Sequence, residues 1–169
     1  MPRTLLQAGW FTFGLWASLT LLVPLTAPWA FAEDPELARM EGLLARDVNA
    51  FRRGQRLIEL ERRPELDRVA RAHSEDMARR SYLSHHSPEG DGWVQRLEKA
   101  GVVGFAMAGE NVGRTNKARP NHEILAGWLN SKVHRDNLVA RPFNATGIGI
   151  ARTVDGSLVY TQLYVNYPR

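Results

Sequence analysis

Three kinds of side chain in this sequence could do chemistry at neutral pH: histidine imidazoles, a carboxylate in an apolar stretch, and serine hydroxyls. His85 and His86 lie in a loop rich in Ser, Pro and Gly, where binding groups are commonly placed. Glu110 lies in an apolar, Gly-punctuated stretch, and burying a carboxylate is costly unless it is paired or faces a cavity. Ser131 and His134 are three residues apart, a spacing that puts two side chains on one helix face.

These residue types suit a zinc-type site with an open position, and equally a hydrogen-bonded polar cluster in a cleft. The sequence contains neither a His-Glu-x-x-His nor a Gly-x-Ser-x-Gly motif, so a standard metalloprotease helix and a hydrolase nucleophile elbow are not predicted. Ser84, Ser87 and Ser131 lie near histidines, which leaves a Ser–His couple open. The structural alternatives are a loop-fixing hydrogen bond for the loop histidines and a helix C-terminal cation for His134.

The other two histidines are predicted to have structural roles. His73 lies on the apolar face of a predicted helix, so we expect a core histidine that is hydrogen-bonded to the backbone or to a neighbouring side chain. His122 lies in the first turn of another predicted helix, between Asn121 and Glu123. A solvated surface position is expected there.

The elements that position these residues follow from local patterns. Apolar residues at three- and four-residue steps, together with capping residues, predict four helices. The helices begin near Asp34, Pro64, Trp93 and Pro120, the third is capped by Gly101, and the fourth continues through Ser131 to His134. Residues 102–112 are expected to form a short strand or a buried loop. Asp155-Gly156 between two β-prone runs predicts an antiparallel hairpin, so the fold class is α+β, with helices packed on a small sheet.

The composition changes abruptly near residue 32. Residues 1–32 contain a single basic residue, Arg3, no acidic residue and a long apolar run that ends in Ala30-x-Ala32. This pattern is typical of a secretory signal peptide cleaved after Ala32, with an uncleaved membrane anchor as the alternative. Residues 33–169 are then one domain of 137 residues with 21 basic and 18 acidic side chains. We therefore predict a periplasmic or extracellular protein with no stable membrane span after cleavage.

The composition also excludes several classes of protein. Of the 169 residues, 44% are hydrophobic and 24% are charged, which excludes a disordered chain. The net charge is only +4 and the bases are dispersed among acids, so no nucleic-acid partner is expected. Cysteine is absent, which excludes disulfides, thiolate metal sites and thiol nucleophiles.

Five segments in order resemble the CAP superfamily, which comprises cysteine-rich secretory proteins, antigen 5 and pathogenesis-related proteins. The segments are residues 70–78, 84–90, 109–112, 128–138 and 147–149, followed by the Asp155-Gly156 hairpin. The resemblance is to the bacterial secreted branch of these SCP-like extracellular proteins and spans residues 37–164. It implies an α–β–α sandwich with a small antiparallel sheet and a central cleft, in a single domain over residues 33–169.

The resemblance also implies a site. Animal and plant members carry two histidines and two glutamates in the cleft, sometimes with a divalent metal. His134 matches the second histidine, Glu110 the first glutamate, and His85 the first histidine, with His86 as its substitute. Ser131 takes the position of the second glutamate, so one carboxylate is missing. The implied cleft residues are thus His85, Glu110, Ser131 and His134, of which His85, Glu110 and His134 are candidate ligands for Zn²⁺ or another divalent cation.

Three functions remain open. The leading hypothesis is a secreted domain that binds a lipid, a cell-wall fragment or another small molecule in the cleft, without catalysis. The second is a metal-assisted hydrolase, a protease or an esterase, in which a metal-bound water attacks the substrate. The third is that the polar cluster only stabilises the fold, while a surface such as the loop 114–119 binds a partner. No catalytic residue is assigned.

Overall fold

The computed structural model describes residues 34–168, so the predicted signal peptide and its cleavage site lie outside the described residues. Five helices and four strands form in this range. In chain order they are α1 (Pro35–Gly54), β1 (Glu61–Arg62), α2 (Pro64–Arg80), α3 (Trp93–Lys99), β2 (Met107–Thr115), α4 (Pro120–Asn130), α5 (Lys132–Val139), β3 (Ala145–Arg152) and β4 (Leu158–Asn166). None of the helices within residues 34–168 is both long and apolar enough to cross a bilayer.

One sheet, with strand order β1-β3-β4-β2, separates two helical layers. Side chains alternate between the faces of a strand. Ile148 and Tyr160 pack with residues of α1, α4 and α5, whereas Leu163 and Val165 pack with α2 and α3. The predicted α–β–α sandwich is confirmed. The sheet is mixed rather than purely antiparallel, because the two-residue strand β1 pairs parallel with β3.

The predicted starts of the first three helices are confirmed. The Asp34 side chain caps α1 by accepting hydrogen bonds from the backbone N–H groups of Glu36, at 2.9 Å, and of Leu37. Proline opens α2, where the missing N–H leaves no bond unmade. Gly101, at φ +75°, ends the turn that follows α3. The segment 102–112 contributes the first six of the nine residues of β2, which begins at Met107.

The helix predicted from Pro120 to His134 is wrong from Ser131 onward. α4 ends at Asn130, Ser131 is extended (φ −98°, ψ 120°), and α5 begins at Lys132. The break lets each helix contact β2 separately. From α4, the indole N–H of Trp128 donates to the Val112 carbonyl at 3.0 Å, and α5 makes its own contacts with the same strand. His134 therefore lies in the first turn of a helix, where the dipole disfavours a cation, and its predicted role as a C-terminal cation is wrong.

Two glycines allow α2 to lie directly on β3. A Cβ at Gly149 would lie 2.0 Å from the backbone nitrogen of Arg71, and one at Gly147 would lie 2.2 Å from the carbonyl carbon of Leu66. Real Cβ atoms do not approach backbone this closely, so α2 would have to move. The close approach also lets the hydroxyl of Ser74 donate to the Gly149 carbonyl at 2.8 Å. The two glycines of the Gly-Ile-Gly segment are thus required for the packing of α2, the helix that precedes the loop with His85 and His86.

Candidate functional site

The candidate site begins with a bond between a loop and a strand. The Nδ1 atom of His85 lies 2.9 Å from Oε1 of Glu110. Glu110 projects from β2 with a fully buried side chain, whereas His85 comes from the loop between α2 and α3 and keeps 35% of its side chain exposed. Of the two alternatives open for this carboxylate, a partner or a cavity, the structure shows a partner, and it is the loop histidine.

Arg96, on α3, holds the same carboxylate from its other side. Its Nη2 donates to Oε2 of Glu110, and its Nη1 donates to the backbone carbonyls of His85, at 3.1 Å, and Asp91, at 2.8 Å. The side chain of Arg96 is only 13% exposed. Both carboxylate oxygens are therefore engaged, which offsets the desolvation of a buried charge. Arg96 fixes the backbone of His85 and, through Glu110, also its ring.

Arg96 was not among the residues that the sequence pointed to. The signal that could have found it is indirect: a carboxylate expected to be buried requires a cation, and arginine is the cation that binds carboxylates best. The sequence does not say which of its many arginines takes this place.

His134 completes a pair of imidazoles. Its ring centroid lies 6.2 Å from that of His85, with the two planes inclined at 42°. Burial lowers the pKa of His134, and the neighbouring charge of His85 lowers it further. The imidazole of His134 is therefore neutral at pH 7, and a neutral imidazole offers one donor and one acceptor nitrogen.

Asparagines attach α5 to the strand that carries Glu110. The side-chain amide of Asn111 donates to the His134 carbonyl at 3.0 Å, and that of Asn137 donates to the Glu110 carbonyl at 3.1 Å. The two asparagines are also bonded to each other at 2.9 Å. These bonds set the position of His134 relative to Glu110, and hence to His85.

Within residues 34–168, the side chains of the other two predicted site residues, His86 and Ser131, form no hydrogen bond with His85, Glu110 or His134. His86 is exposed, its backbone N–H donates to the hydroxyl of Ser84 at 3.1 Å, and the contact with Glu110 favours His85 as the cleft histidine. Ser131 precedes α5 but does not cap it with its side chain. Among residues 34–168, no serine hydroxyl is bonded to a histidine ring, so the Ser–His couple is not formed there.

The structural roles predicted for the remaining histidines are confirmed. His73 is 2% exposed, and its Nε2–H donates to the Ser84 carbonyl at 2.9 Å. Burial, the largest cause, lowers the pKa of His73. The side chain of His122 is 63% exposed, as expected for a solvated residue.

The donors present fit a three-ligand metal site poorly. Catalytic zinc usually has three protein ligands and an open position. Here two imidazoles are available, whereas both oxygens of Glu110 are taken by His85 and Arg96. In the part of the chain that the structure describes, no three His, Asp or Glu side chains are grouped so that they could hold a metal ion. His85 and His134 are the residues that could contact a divalent cation.

Comparisons with known proteins agree with this fold. The family model described as "CAP: Cysteine-rich secretory protein family" matches residues 45–164. The protein YkwD of Bacillus subtilis (strain 168) is 31% identical over 118 residues, which cover 70% of this chain and 44% of YkwD. An extracellular protein containing a SCP domain from Bacillus anthracis str. Ames is 32% identical with a TM-score of 0.67, covering 76% of this chain and 41% of that one.

A more distant structure shares the fold over nearly its whole length. An outer surface protein from Borrelia burgdorferi has a TM-score of 0.70 at 19% identity, covering 77% of this chain and 94% of the Borrelia protein. The chain spans less than half the length of the two Bacillus proteins. The family match nevertheless takes in α2 to α5 and every strand, apart from the last two residues of β4. This chain belongs to the CAP, or cysteine-rich secretory protein, family.

Proposed function

We propose that this protein is an exported CAP domain that binds a ligand at the paired imidazoles of His85 and His134 and catalyses no reaction. The observation that carries the proposal is the engagement of both oxygens of Glu110. Because that carboxylate is bonded to Arg96 and His85, it positions an imidazole and is not free to act as a general base. The site then offers recognition groups without an activated nucleophile.

The chemistry of the imidazoles favours a hydroxyl-rich ligand. A carboxylate only accepts hydrogen bonds, so Nδ1 of His85 carries the proton towards Glu110, which leaves Nε2 as the ring nitrogen that can contact a ligand. His134 adds a neutral imidazole with one donor and one acceptor nitrogen. Trp93 packs edge-on against His85, with ring centroids 5.9 Å apart, and provides an apolar surface beside the polar one. This combination suits a cell-wall glycan fragment better than a lipid chain.

The binding experiment compares soluble cell-wall fragments with lipids by titration calorimetry. We expect a glycan fragment to bind, with at least tenfold weaker affinity for His85→Ala and for His134→Ala. The matched control is His122→Ala, because this exposed histidine lies outside the pair. A fragment that binds every variant equally well would contradict the assignment to the imidazole pair. If the protein binds lipid and does not bind glycan fragments, the proposed ligand class is wrong.

Export is supported by the predicted signal peptide, by the family and by the extracellular Bacillus anthracis relative. The test is to sequence the N-terminus of the protein from the producing cells. We expect Glu33 to be the first residue, since cleavage is predicted after Ala32. A protein that retains Met1 and sediments with membranes would instead show the uncleaved anchor.

One contact favours the second candidate, a metal-assisted hydrolase acting on peptides or esters. A histidine that ligates a metal usually donates its other ring N–H to a carboxylate, as His85 does to Glu110. Calorimetric titration with Zn²⁺ separates the candidates, with His134→Ala as the variant that removes one ligand. Absence of Zn²⁺ uptake at micromolar concentration excludes this candidate, whereas tight uptake that is lost in His134→Ala supports it.

A further inference from the structure

A cavity of about 540 Å³ lies away from the histidine pair. Its walls come from the first half of α1, the loop between β2 and α4, the first turn of α4 and the β3–β4 turn region. Thr115 lines this cavity from the end of β2, five residues beyond Glu110. Five residues of a strand span about 17 Å, so the cavity is separate from the candidate site.

Three exposed cations line the cavity, one from α1 and two from the loop: Arg39, Lys117 and Arg119. Within residues 34–168, none of these three side chains has a hydrogen-bond or ion-pair partner. A fourth cation, Arg152, is held by Glu36 at 3.2 Å. The cavity therefore contains positive charge that the described fold does not use.

The charge of the lining matches a particular anion. Apart from the Arg152–Glu36 pair, Asp47 is the remaining acidic residue of the lining, so three cations leave a net charge of +2. A phosphate monoester carries about −1.5 to −2 at pH 7. Guanidinium groups also match phosphate oxygens in shape, since their N–H donors form a planar fork.

The cavity is larger than a phosphate group needs. Its volume falls in the range of small-molecule sites, about 300–1,000 Å³. Met40, Leu43 and Leu158 add apolar surface to the lining. A ligand that fills the cavity would therefore carry an organic group next to its phosphate.

We propose that this cavity binds an organic phosphate monoester, with the phosphate on Arg39, Lys117 and Arg119 and the organic group against the apolar wall. The same headgroup chemistry occurs in free phosphate esters and in phosphatidic acid. The site is independent of the histidine pair, so loss of one leaves the other intact.

The first test measures phenyl phosphate binding by calorimetry, using the protein and the triple variant Arg39→Gln/Lys117→Gln/Arg119→Gln. We expect phenyl phosphate to bind the protein, and at least tenfold weaker binding to the variant. Phenyl sulfate, which has the same ring and one charge fewer, should bind several-fold more weakly than phenyl phosphate. No measurable binding of phenyl phosphate, or equal binding to the triple variant, would overturn the proposal.

The matched control removes three charges elsewhere, in Arg46→Gln/Arg135→Gln/Arg141→Gln. These arginines are exposed, and within residues 34–168 their side chains also have no partner. We expect this control to bind phenyl phosphate as the protein does. An equal loss of phenyl phosphate binding in both triple variants would show that net charge alone attracts the anion. That result would overturn the assignment of the site to this cavity.

Vesicles distinguish the source of the phosphate. The protein is sedimented with vesicles of phosphatidylcholine alone and with vesicles that also contain phosphatidic acid. Binding only to the second kind, lost in the Arg39→Gln/Lys117→Gln/Arg119→Gln variant, identifies a lipid headgroup as a source of the phosphate. Binding of phenyl phosphate without co-sedimentation identifies a free ester. His134→Ala should bind phenyl phosphate unchanged, and weakened binding in that variant would overturn the independence of the two sites.

Discussion

The imidazole rings of His85 and His134 lie with centroids 6.2 Å apart, although one belongs to a loop and the other to a helix. The loop histidine is held by Glu110, and the helix is attached to the same strand through asparagine side chains. At this separation the charge of His85 disfavours the protonation of His134 and so lowers the pKa of His134. This dependence gives a direct test of the arrangement.

The pKa of His134 should rise when His85 is replaced by glutamine. Burial is the main cause that lowers this pKa, and the charge of His85 is the second, so the variant removes only the second cause. Two-dimensional NMR of the imidazole C–H groups measures the titration of each histidine. The C–H signals of His122 are the internal control for general effects of the substitution, since this exposed residue lies outside the pair. An unchanged pKa for His134 would contradict the proximity of the two rings.

Replacing Arg96 by methionine should destabilise the fold by about 3–5 kcal/mol at neutral pH, because it leaves the buried carboxylate of Glu110 without its cation. Denaturant unfolding measures the loss. The double variant Arg96→Met/Glu110→Gln should recover part of it, since it removes both charges. Arg135→Met is the control, because an exposed arginine changes stability by less than about 0.5 kcal/mol.

If Arg96 only stabilised the fold, a variant of Arg96 that still folds would leave the ring of His85 undisturbed. We expect instead that Arg96→Lys, which retains the charge and loses the forked geometry, folds but shifts the NMR signals of His85. Lysine can contact Glu110 but cannot also donate to the His85 and Asp91 carbonyls as the guanidinium does. Unshifted His85 signals in a folded Arg96→Lys protein would contradict its positioning role.

Local signals predicted most of the fold, because they depend on neighbouring residues. The Asp34 cap, the proline starts and the Asp155-Gly156 hairpin are confirmed where the sequence placed them. The break at Ser131 was missed because its neighbours favour a continuous helix, and only the separate attachment of α4 and α5 to β2 requires it. Strand β1 was missed because two residues are too few to show a period.

The site could be predicted only in part. An apolar context was enough to predict that Glu110 is either paired or facing a cavity, and a loop context was enough to select the two adjacent histidines. The family resemblance favoured His85 and kept His86 as its substitute, but local context alone could not choose between them, because the choice depends on which ring reaches Glu110. Nor could it find Arg96, whose charged side chain resembles any surface arginine until α3 is packed against β2.

Gly149→Ala should prevent stable folding or cost more than about 3 kcal/mol. The added methyl group would lie 2.0 Å from the backbone nitrogen of Arg71, and backbone cannot yield as a flexible side chain can. The matched control is Gly127→Ala, because this glycine lies inside α4 and has nothing within 4 Å of the added group. Alanine should stabilise that helix by up to about 1 kcal/mol. Denaturant unfolding compares the two, and equal stabilities would contradict the close packing of α2 on β3.

The contribution of two histidines to the free energy of unfolding should fall as the pH drops below about 6.5, the usual pKa of histidine. Burial lowers the pKa of both His73 and His134, so below pH 6.5 these two side chains bind more protons in the unfolded chain than in the folded one. The stabilisation is complete above that pH and is lost as the pH falls through the folded pKa values. His73→Gln keeps an N–H donor for the Ser84 carbonyl but cannot titrate, so its stability should depend less on pH between 6.5 and 5. His122→Gln is the matched control, because it removes an exposed histidine. A slope in His73→Gln equal to that of this control would show that the buried imidazole is not the source.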